Sequence, residues 1–463
     1  MKRIGFILIV ISFLSVIFTS QLKLVNQQSQ EFDEGVYLTT FLLIDKGHLA
    51  YKETFLSQPP GFLLSTYPGF VFFGKTLEAA RLTIGLWSII GLLAIVWICI
   101  ELKNKWAGVF TLGTLYFLPY YFDQTLVFHS DLLITTFSLI TLGFIFRYIN
   151  TNKIIWFTFA AFFINLSFWT KYDFFLIPAL FVMLLILIIT KKLNFSKIIR
   201  LLSVFISVSI LFFLIFILPF GIQSIIKDTL GLRLDAAHVN YSQSLAFFEY
   251  IWRDFPLALL TAGAIVITFL KKDSFRFPLL PLLVWTLTVS VIFIFYKPLF
   301  IHHMVIYAVP LVLYFSISLV SLLKKRIRFY PLIISFFALL VLINYLSLTS
   351  KKTTNILSSD QQKAIVLINN FTNKNESIVT DDGILSGASN RLPPPELSDL
   401  SSVRINSNNL SPEQFKRIID KEKPKLIIPW NGRLNSMVGF NDILEDYSPL
   451  ETINGKTLHI RMN

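Results

Sequence analysis

The sequence predicts an all-α protein that crosses a membrane many times, followed by a small soluble α/β domain. Of its 463 residues 54% are hydrophobic and only 15% are charged, with a mean hydropathy of +0.65. A soluble domain needs a more polar surface than this composition provides. Apolar runs of about 17 residues or more recur almost to residue 349, and each is long enough to cross the bilayer as a helix. Helices and closed barrels are the structures that satisfy the backbone in lipid.

The apolar runs predict about eleven transmembrane helices. The first follows a basic start, as in a secretory signal peptide, but it has no clear small-residue cleavage site, so we interpret it as an uncleaved anchor. The single cysteine, Cys99, lies within a span and forms no intramolecular disulfide. The predicted spans lie near residues 4–20, 78–100, 106–122, 131–148, 154–169, 174–190, 200–219, 256–270, 277–296, 301–323 and 329–348.

Basic residues predict the orientation of these spans. The formal charge of +13 is compatible with nucleic-acid binding, but most of the basic residues fall between the spans and on alternate sides, which indicates topology instead. By the positive-inside rule the Lys/Arg-rich side is cytoplasmic. The other side receives loop 21–77, loop 220–255 with Arg233, Asp235 and His238, and the chain after residue 349. We therefore expect two parts, a transmembrane domain at 1–349 and an external domain at 350–463.

The first external loop is predicted to contain two helices that lie in the membrane interface. Residues 32–44 have apolar side chains at helical spacing, and residues 61–73 are rich in Phe, Leu and Tyr around Pro68. Asp33 and Glu34 would then lie at the level of the lipid headgroups.

The C-terminal segment has the patterns of an α/β layer. Residues 358–371 have helical periodicity, and Ser411-Pro412-Glu413 is a helix start. Residues 377–380 and 425–430 are strand-like, and Asn454-Gly455 separates two strand-like runs. Asp381-Asp382 is compatible with a metal site, but we interpret it as an acidic loop at a strand end, because no partner ligands are evident.

Acidic residues in the first loop have the chemistry of a group-transfer site. Transfer of a sugar from a lipid phosphate requires a base for the acceptor hydroxyl and cations for the leaving phosphate. Burial raises the pKa of a carboxylate towards a useful range. Asp33 is the candidate base, with Glu34 and Glu53 as residues that orient sugar hydroxyls or support the base. The alternative is that all three are solvated loop charges.

Basic residues at the outer ends of the spans are candidate phosphate ligands. Arg81 lies near the start of the second span and Lys171 in a short turn, whereas Lys297 precedes His302-His303. Ionisable groups in a membrane protein are costly and often functional. The alternative is that these residues are ordinary anchors whose charged ends reach the interface.

One further polar group stands at the start of the fourth span. His129 and Asp131 flank Ser130, and they either bind a metal or cap the helix. Two residues are too few for a metal site, so capping by Ser130 or Asp131 is preferred. A divalent cation is compatible with the sequence, but we assign no metal ligand and no cofactor.

Several of these motifs together resemble a known family. The motifs Asp33-Glu34-Gly35, Gly47 to Glu53, Pro59-Pro60, Phe73-Gly74 and Ala80-Arg81-Leu82 resemble the GT-C glycosyltransferases that use polyprenyl-phosphate sugars. The most similar groups are the protein O-mannosyltransferases, the aminoarabinose transferases and the bacterial lipopolysaccharide-core glycosyltransferases. The resemblance covers roughly residues 1–350.

The resemblance implies an inverting transfer from a polyprenyl-phosphate sugar to a lipid, glycan or protein acceptor on the non-cytoplasmic face of the cell membrane. It places the catalytic acid at Asp33, and Tyr307 and Pro310 resemble a motif near the carrier phosphate. Ser57-Gln58 stands where aminoarabinose transferases carry a charged residue before Pro-Pro. One alternative is a flippase or transporter of lipid-linked sugars, which should have ionisable groups near the bilayer midplane or discontinuous helices in two related halves. The other alternative is a non-catalytic membrane assembly protein.

Overall fold

Helices make up most of the described residues up to position 326. The computed structural model describes residues 2–27, 30–172, 174–190, 192–237, 245–270, 277–326 and 356–462. The predicted span 329–348, the predicted domain boundary at 349/350 and His238 lie outside the described residues. The chain divides into two compact units: a first unit of residues 1–25, 84–214 and 242–352, and a second unit of residues 26–83, 215–241 and 353–463.

The first unit is a helical bundle. Its buried centre is α16, which packs against α5, α7, α14 and α15. Its helices are α1 (Lys2–Leu24), most of α4 (Leu77–Glu101), α5 (Lys105–Phe117), α6 (Pro119–Phe122), α7 (Ser130–Thr151), α8 (Ile154–Lys171), α9 (Ile177–Ile189), most of α10 (Phe195–Phe220), α13 (Ala246–Arg253), α14 (Phe255–Leu270), α15 (Leu279–Phe295) and α16 (Met304–Arg326).

Six helices among the described residues are long and apolar enough to cross a membrane: α1, α4, α7, α8, α10 and the helix that ends near Lys324. A seventh crossing results if α13 and α14, which meet at a bend of 105°, form one span. Helices α9 and α15 are apolar but shorter. The protein is therefore a multi-pass membrane protein, and the predicted count of about eleven spans is not confirmed.

One predicted span differs from the structure for a local reason. The continuous helix expected at 106–122 is interrupted between α5 and α6, because Pro119 has no N–H to donate and restricts the residue before it. Leu118 accordingly adopts an extended conformation, with φ −90° and ψ 110°.

The second unit combines the first loop with the C-terminal segment. The two helices predicted in the first loop are present as α2 (Phe32–Asp45) and α3 (Pro60–Phe73), and α3 ends at Gly74 with a positive φ of 117°. Two further helices come from the second predicted loop, α11 (Ile222–Ile226) and α12 (Leu232–Ala237). The C-terminal helices are α17 (Ser359–Phe371), α18 (Gly383–Ser389), α19 (Ser402–Asn406), α20 (Pro412–Glu422) and α21 (Phe440–Ile443).

A four-stranded sheet of order β1-β2-β4-β3 lies in this C-terminal segment, which confirms the predicted α/β layer. β1 (Ile378–Thr380) and β2 (Leu426–Ile428) are parallel, with Val379 opposite Ile427. β3 (Tyr447–Ile453) and β4 (Lys456–Arg461) form the predicted hairpin. Its turn residues Asn454 and Gly455 have φ of 48° and 78°, as a tight hairpin requires.

Candidate active site

Asp33 and Glu34 lie in the first turn of α2, where the helix dipole favours negative charge. The two carboxylates have different environments. Glu34 is fully buried, and one of its oxygens accepts a hydrogen bond from the backbone N–H of Glu31 at 3.1 Å. Asp33 is half-buried. The structure records no hydrogen bond or ion pair for the Asp33 carboxylate with any residue it describes.

Arg81 binds Glu34 through two hydrogen bonds. Nε donates to Oε1 at 2.8 Å and Nη2 donates to Oε2 at 2.6 Å. Both side chains are fully buried. The pair joins the start of α2 to the first turns of α4. In this structure the charged groups of Glu34 and Arg81 bind each other and are not exposed to solvent. Their predicted roles as ligands for sugar and phosphate stay predictions.

The start of α2 is in backbone contact with the C-terminal segment. A Cβ added at Gly383 would lie 2.3 Å from the backbone oxygen of Gly35, and one added at Gly35 would lie 2.8 Å from the backbone nitrogen of Ile384. Thr39, one turn further along α2, donates a hydrogen bond to the carbonyl of Gly383 at 3.0 Å. The glycines at 35 and 383 thus allow the backbones of α2 and α18 to touch. On α2 this contact is two residues from Asp33.

Arg433, in the C-terminal segment, packs against Phe32, the residue before Asp33. Its guanidinium carbon lies 3.5 Å from the centre of the Phe32 ring, and its charge interacts with those of Asp33, Asp381 and Asp399. Asp399 is buried, which raises its pKa, and the negative charge of Asp33 raises it further. Two charged residues of the C-terminal segment, Arg433 and Asp399, thus lie within electrostatic range of Asp33.

The acidic pair Asp381-Asp382 holds loops in place. The Asp381 carboxylate accepts hydrogen bonds from the backbone N–H groups of Asn431, Arg433 and Leu434 at 2.7, 2.7 and 3.1 Å. Asp382 caps α18 by accepting from the N–H of Ile384 at 3.0 Å. This is the structural role that the sequence favours over a metal site.

The segment before Pro59 is held from two directions. The backbone N–H of Leu56 points to the Asp228 carboxylate at 3.4 Å, and the Arg404 guanidinium lies 3.9 Å from the centre of the Phe55 ring. Burial raises the pKa of Asp228 to about 7, although Arg404 and the Leu56 N–H oppose the shift. Neither Asp228 nor Arg404 is predictable from the sequence as part of a site, since no local motif marks either residue.

Gln58 is the residue that stands where a cation was expected. Its side-chain oxygen accepts a hydrogen bond from Arg233 Nη2 at 3.3 Å, and its amide nitrogen donates to the Tyr37 hydroxyl at 2.8 Å. The hydroxyl of Tyr51 donates to the Gln58 carbonyl at 2.6 Å. A cation is thus present at this position, but α12 supplies it.

Glu53 lies in an exposed turn. One of its oxygens accepts a hydrogen bond from the backbone N–H of Leu49 at 2.9 Å and lies 3.4 Å from His48 Nδ1. Its side chain is 50% exposed, so these contacts stabilise the turn that leads to Pro59. The predicted contact of Glu53 with sugar stays a prediction.

The first unit contains a separate polar cluster. Lys171 Nζ binds Asp131 Oδ1 at 2.5 Å, with Asp131 fully buried. His129 occupies the N-cap position of α7 without a side-chain capping bond, and the capping role of Ser130 or Asp131 stays a prediction. The His129 and His302 rings stack at 4.3 Å between centroids, and His303 Nδ1 accepts the N–H of Phe300 at 3.0 Å.

Three residues of this cluster could hold a divalent cation. One ligand atom from each of Asp131, His302 and His303 lies within 4.8 Å of the other two, and carboxylate with imidazole is a common donor set for transition metals. Asp131 Oδ2 is buried without a hydrogen-bond partner among the described residues. Lys171 competes for the same carboxylate. Lys297 is exposed in the turn before α16.

Comparison with known proteins identifies the fold. Residues 57–221 match the family described as dolichyl-phosphate-mannose-protein mannosyltransferase. No curated protein sequence matches significantly. The structure is similar to that of ArnT from Cupriavidus metallidurans bound to undecaprenyl phosphate, with a TM-score of 0.69 at 13% identity over 98% of this chain and 97% of that one.

The structure is also similar to the oligosaccharyltransferase of Archaeoglobus fulgidus in complex with Zn and sulfate. The TM-score is 0.58 at 12% identity, over 97% of this chain and 73% of that one. The resemblance to GT-C glycosyltransferases predicted from the sequence is confirmed, since this chain has their fold.

Proposed function

We propose that this protein is an integral membrane glycosyltransferase with Asp33 as its general base. It moves a hexose or pentose from a polyprenyl-phosphate donor to a lipid, glycan or protein acceptor of the cell envelope. The reaction takes place on the non-cytoplasmic face of the cell membrane. The comparisons support this proposal, because the similar proteins include a mannosyltransferase family that matches in sequence, and an oligosaccharyltransferase and a protein bound to undecaprenyl phosphate that match in fold.

The difference between Asp33 and Glu34 is the observation that carries the assignment. A general base needs an oxygen that is available to the substrate and is not bound to a permanent cation. Glu34 is buried against Arg81, whereas Asp33 is half-buried with no hydrogen bond recorded in the described part of the chain. Of the two acids at the start of α2, Asp33 has the required availability.

The proposed reaction is a single displacement with inversion. The acceptor hydroxyl attacks the anomeric carbon of the sugar and transfers its proton to the Asp33 carboxylate. A new bond forms between the acceptor oxygen and the anomeric carbon while the bond from that carbon to the phosphate oxygen breaks. The polyprenyl phosphate leaves with the electron pair of the broken bond, so atoms and charges balance.

Cations must stabilise the leaving phosphate. In the second unit we assign this role to Arg233, because its guanidinium lies beside Gln58, where related transferases carry a charged residue. Binding of phosphate by Lys171, Lys297, His302 and His303 also belongs to this proposal. For Arg81 the buried contact with Glu34 favours a different role, that of fixing the start of α2.

The proposal is tested by transfer of label. The purified protein is mixed with a panel of radiolabelled undecaprenyl-phosphate sugars and with envelope membranes as the source of acceptors. We expect one labelled sugar to move to a membrane component only when the protein is present. Failure of every sugar in the panel, with a folded protein, contradicts a transferase of this donor class and favours the transporter alternative.

The orientation of the chain is a proposal of the same kind. We place the domain at 350–463 on the external face, following the transmembrane domain at 1–349. A reporter that is active only outside the cytoplasm, fused after Met462, should be active, and the same reporter fused after Lys103 should not. A cytoplasmic signal at Met462 contradicts the orientation.

A further inference from the structure

Residues 55–58 of the first loop are in direct contact with the C-terminal segment. We propose that Ser398 and Arg404 are positioning residues for segment 55–58. Through this segment they set Gln58 beside Arg233, where the proposed function places the phosphate of the lipid-linked donor. The inference therefore deepens the proposed function and rests on the role assigned there to Arg233.

Two side chains of the C-terminal segment hold Phe55. The Ser398 hydroxyl donates a hydrogen bond to the Phe55 carbonyl at 3.1 Å, and both residues are buried. The Arg404 guanidinium carbon lies 3.9 Å from the centre of the Phe55 ring, which is a cation–π contact. The backbone and the ring of Phe55 are thus both held by residues from the far end of the chain.

Arg404 is itself fixed by its own loop. Its Nη1 donates to the carbonyls of Glu396 and Asp399, each at 2.8 Å, and its backbone N–H donates to the Ser401 hydroxyl at 3.3 Å. Because these bonds already hold the planar guanidinium, it loses little further entropy on contact with the Phe55 ring. The position of that ring therefore depends on the fold of the loop that holds Arg404.

The chain after Phe55 leads directly to Gln58. The backbone N–H of Leu56 lies 3.4 Å from the Asp228 carboxylate. Two residues later, the Gln58 side-chain oxygen accepts a hydrogen bond from Arg233 Nη2 at 3.3 Å. Three residues of backbone span at most about 11 Å, so a displacement of Phe55 moves Gln58 relative to Arg233.

The other partner of this contact also depends on the C-terminal segment. Arg233 lies on α12, and α12 packs against α19, the helix that carries Arg404. The C-terminal segment therefore acts on Gln58 through Phe55 and on Arg233 through α19. A guanidinium binds phosphate oxygens best when its planar fork faces them, so the geometry of this pair affects the affinity for a phosphate.

The alternative is that Ser398 and Arg404 only stabilise the C-terminal segment itself. A purely structural role predicts a lower unfolding temperature and faster amide exchange within that segment. A positioning role predicts faster exchange in segment 55–58 and weaker binding of a lipid phosphate, while strands β1 and β2 keep their protection. Amide exchange and lipid binding, measured on the same variants, therefore separate the two roles.

The experiment combines hydrogen–deuterium exchange with binding of undecaprenyl phosphate to the purified full-length protein. In Ser398→Ala we expect the amides of 55–58 to exchange about three- to tenfold faster, and the dissociation constant of the lipid to rise by a similar factor, as for the loss of one hydrogen bond. Ser398→Thr, which keeps the hydroxyl, should restore both. Ser389→Ala is the matched control and should change neither, because Ser389 is also buried but its hydroxyl donates to the Leu385 carbonyl within α18.

Arg404→Gln removes the charge over the Phe55 ring and should change the same two measurements, with thermal unfolding as the check that each variant is folded. Unchanged exchange at 55–58 in folded Ser398→Ala overturns the proposal, and so does faster exchange with an unchanged affinity for the lipid. Failure of the proposed function gives a different result. The wild-type protein itself then does not bind undecaprenyl phosphate, and the inference fails with it.

Discussion

Arg81 and Glu34 form a buried pair in which both guanidinium–carboxylate hydrogen bonds are made, at 2.8 and 2.6 Å, and both side chains are inaccessible to solvent. Such a pair has a structural role, because removal of either partner leaves the other charge buried without compensation. It fixes the first turn of α2 to α4, whereas no such pair is recorded for the neighbouring Asp33 among the described residues.

Arg81→Gln is accordingly expected to act on stability. Loss of one partner of a buried pair costs about 3–5 kcal/mol, so the variant should unfold at a markedly lower temperature in detergent. The double variant Arg81→Met with Glu34→Leu should recover much of this loss. A stable Arg81→Gln protein that has lost only donor affinity points instead to Arg81 as the phosphate ligand.

Gly383→Ala tests the contact between α2 and α18. The added methyl group would lie 2.3 Å from a backbone oxygen, and backbone cannot move aside as a flexible side chain can. We expect a loss of stability of at least about 1–3 kcal/mol, with a loss of transfer activity. Gly5→Ala is the matched control, because no atom lies within 4 Å of its added methyl group, and it should be neutral.

The raised pKa of Asp228 predicts a pH dependence of stability. Burial is its main cause, and the pKa of Asp228 in the folded protein is about 7, against 3.8 for an exposed aspartate. Between these values the unfolded chain has lost the proton that the folded protein keeps, so stability falls as pH rises from about 4 to 7 and then levels off. In Asp228→Asn the fall should be smaller when unfolding is followed from pH 4 to 8. An identical slope in both proteins contradicts the assignment.

Arg233→Gln tests the cation next to Gln58. If Arg233 holds the phosphate of the donor, its loss should raise the KM for the labelled donor about tenfold or more, since one charge-assisted bond contributes about 1.5–3 kcal/mol. Arg253→Gln removes an exposed arginine from the first unit and should leave the KM unchanged. A normal KM in the Arg233 variant places the phosphate elsewhere.

Much of the fold follows from local patterns. The sequence predicted α2, α3, α20 and the β3–β4 hairpin because their signals are local: helical spacing, the Ser411-Pro412 start, and Asn454-Gly455 with its positive φ values. The break at Pro119 is also readable from the sequence, although the apolar run around it predicts one continuous helix.

The site was only partly predictable. Asp33 was identified because it lies in a motif, whereas its surroundings depend on distant residues. Arg433 packs on Phe32, the residue before Asp33, from the far end of the chain, and Arg233 reaches Gln58 from 175 positions away. The sequence already favours Asp33 over Glu34 as the base, and the structure adds a physical reason, since Glu34 is buried against Arg81.

Transfer by the Asp33→Asn variant tests the central claim most directly. The substitution keeps the shape of the side chain but removes its ability to accept a proton, so we expect a folded, membrane-inserted protein whose transfer rate falls at least about a hundredfold. Asp45→Asn, at the other end of α2, should keep the wild-type rate. A folded Asp33→Asn protein that transfers sugar at the wild-type rate would contradict the role of Asp33 as the base.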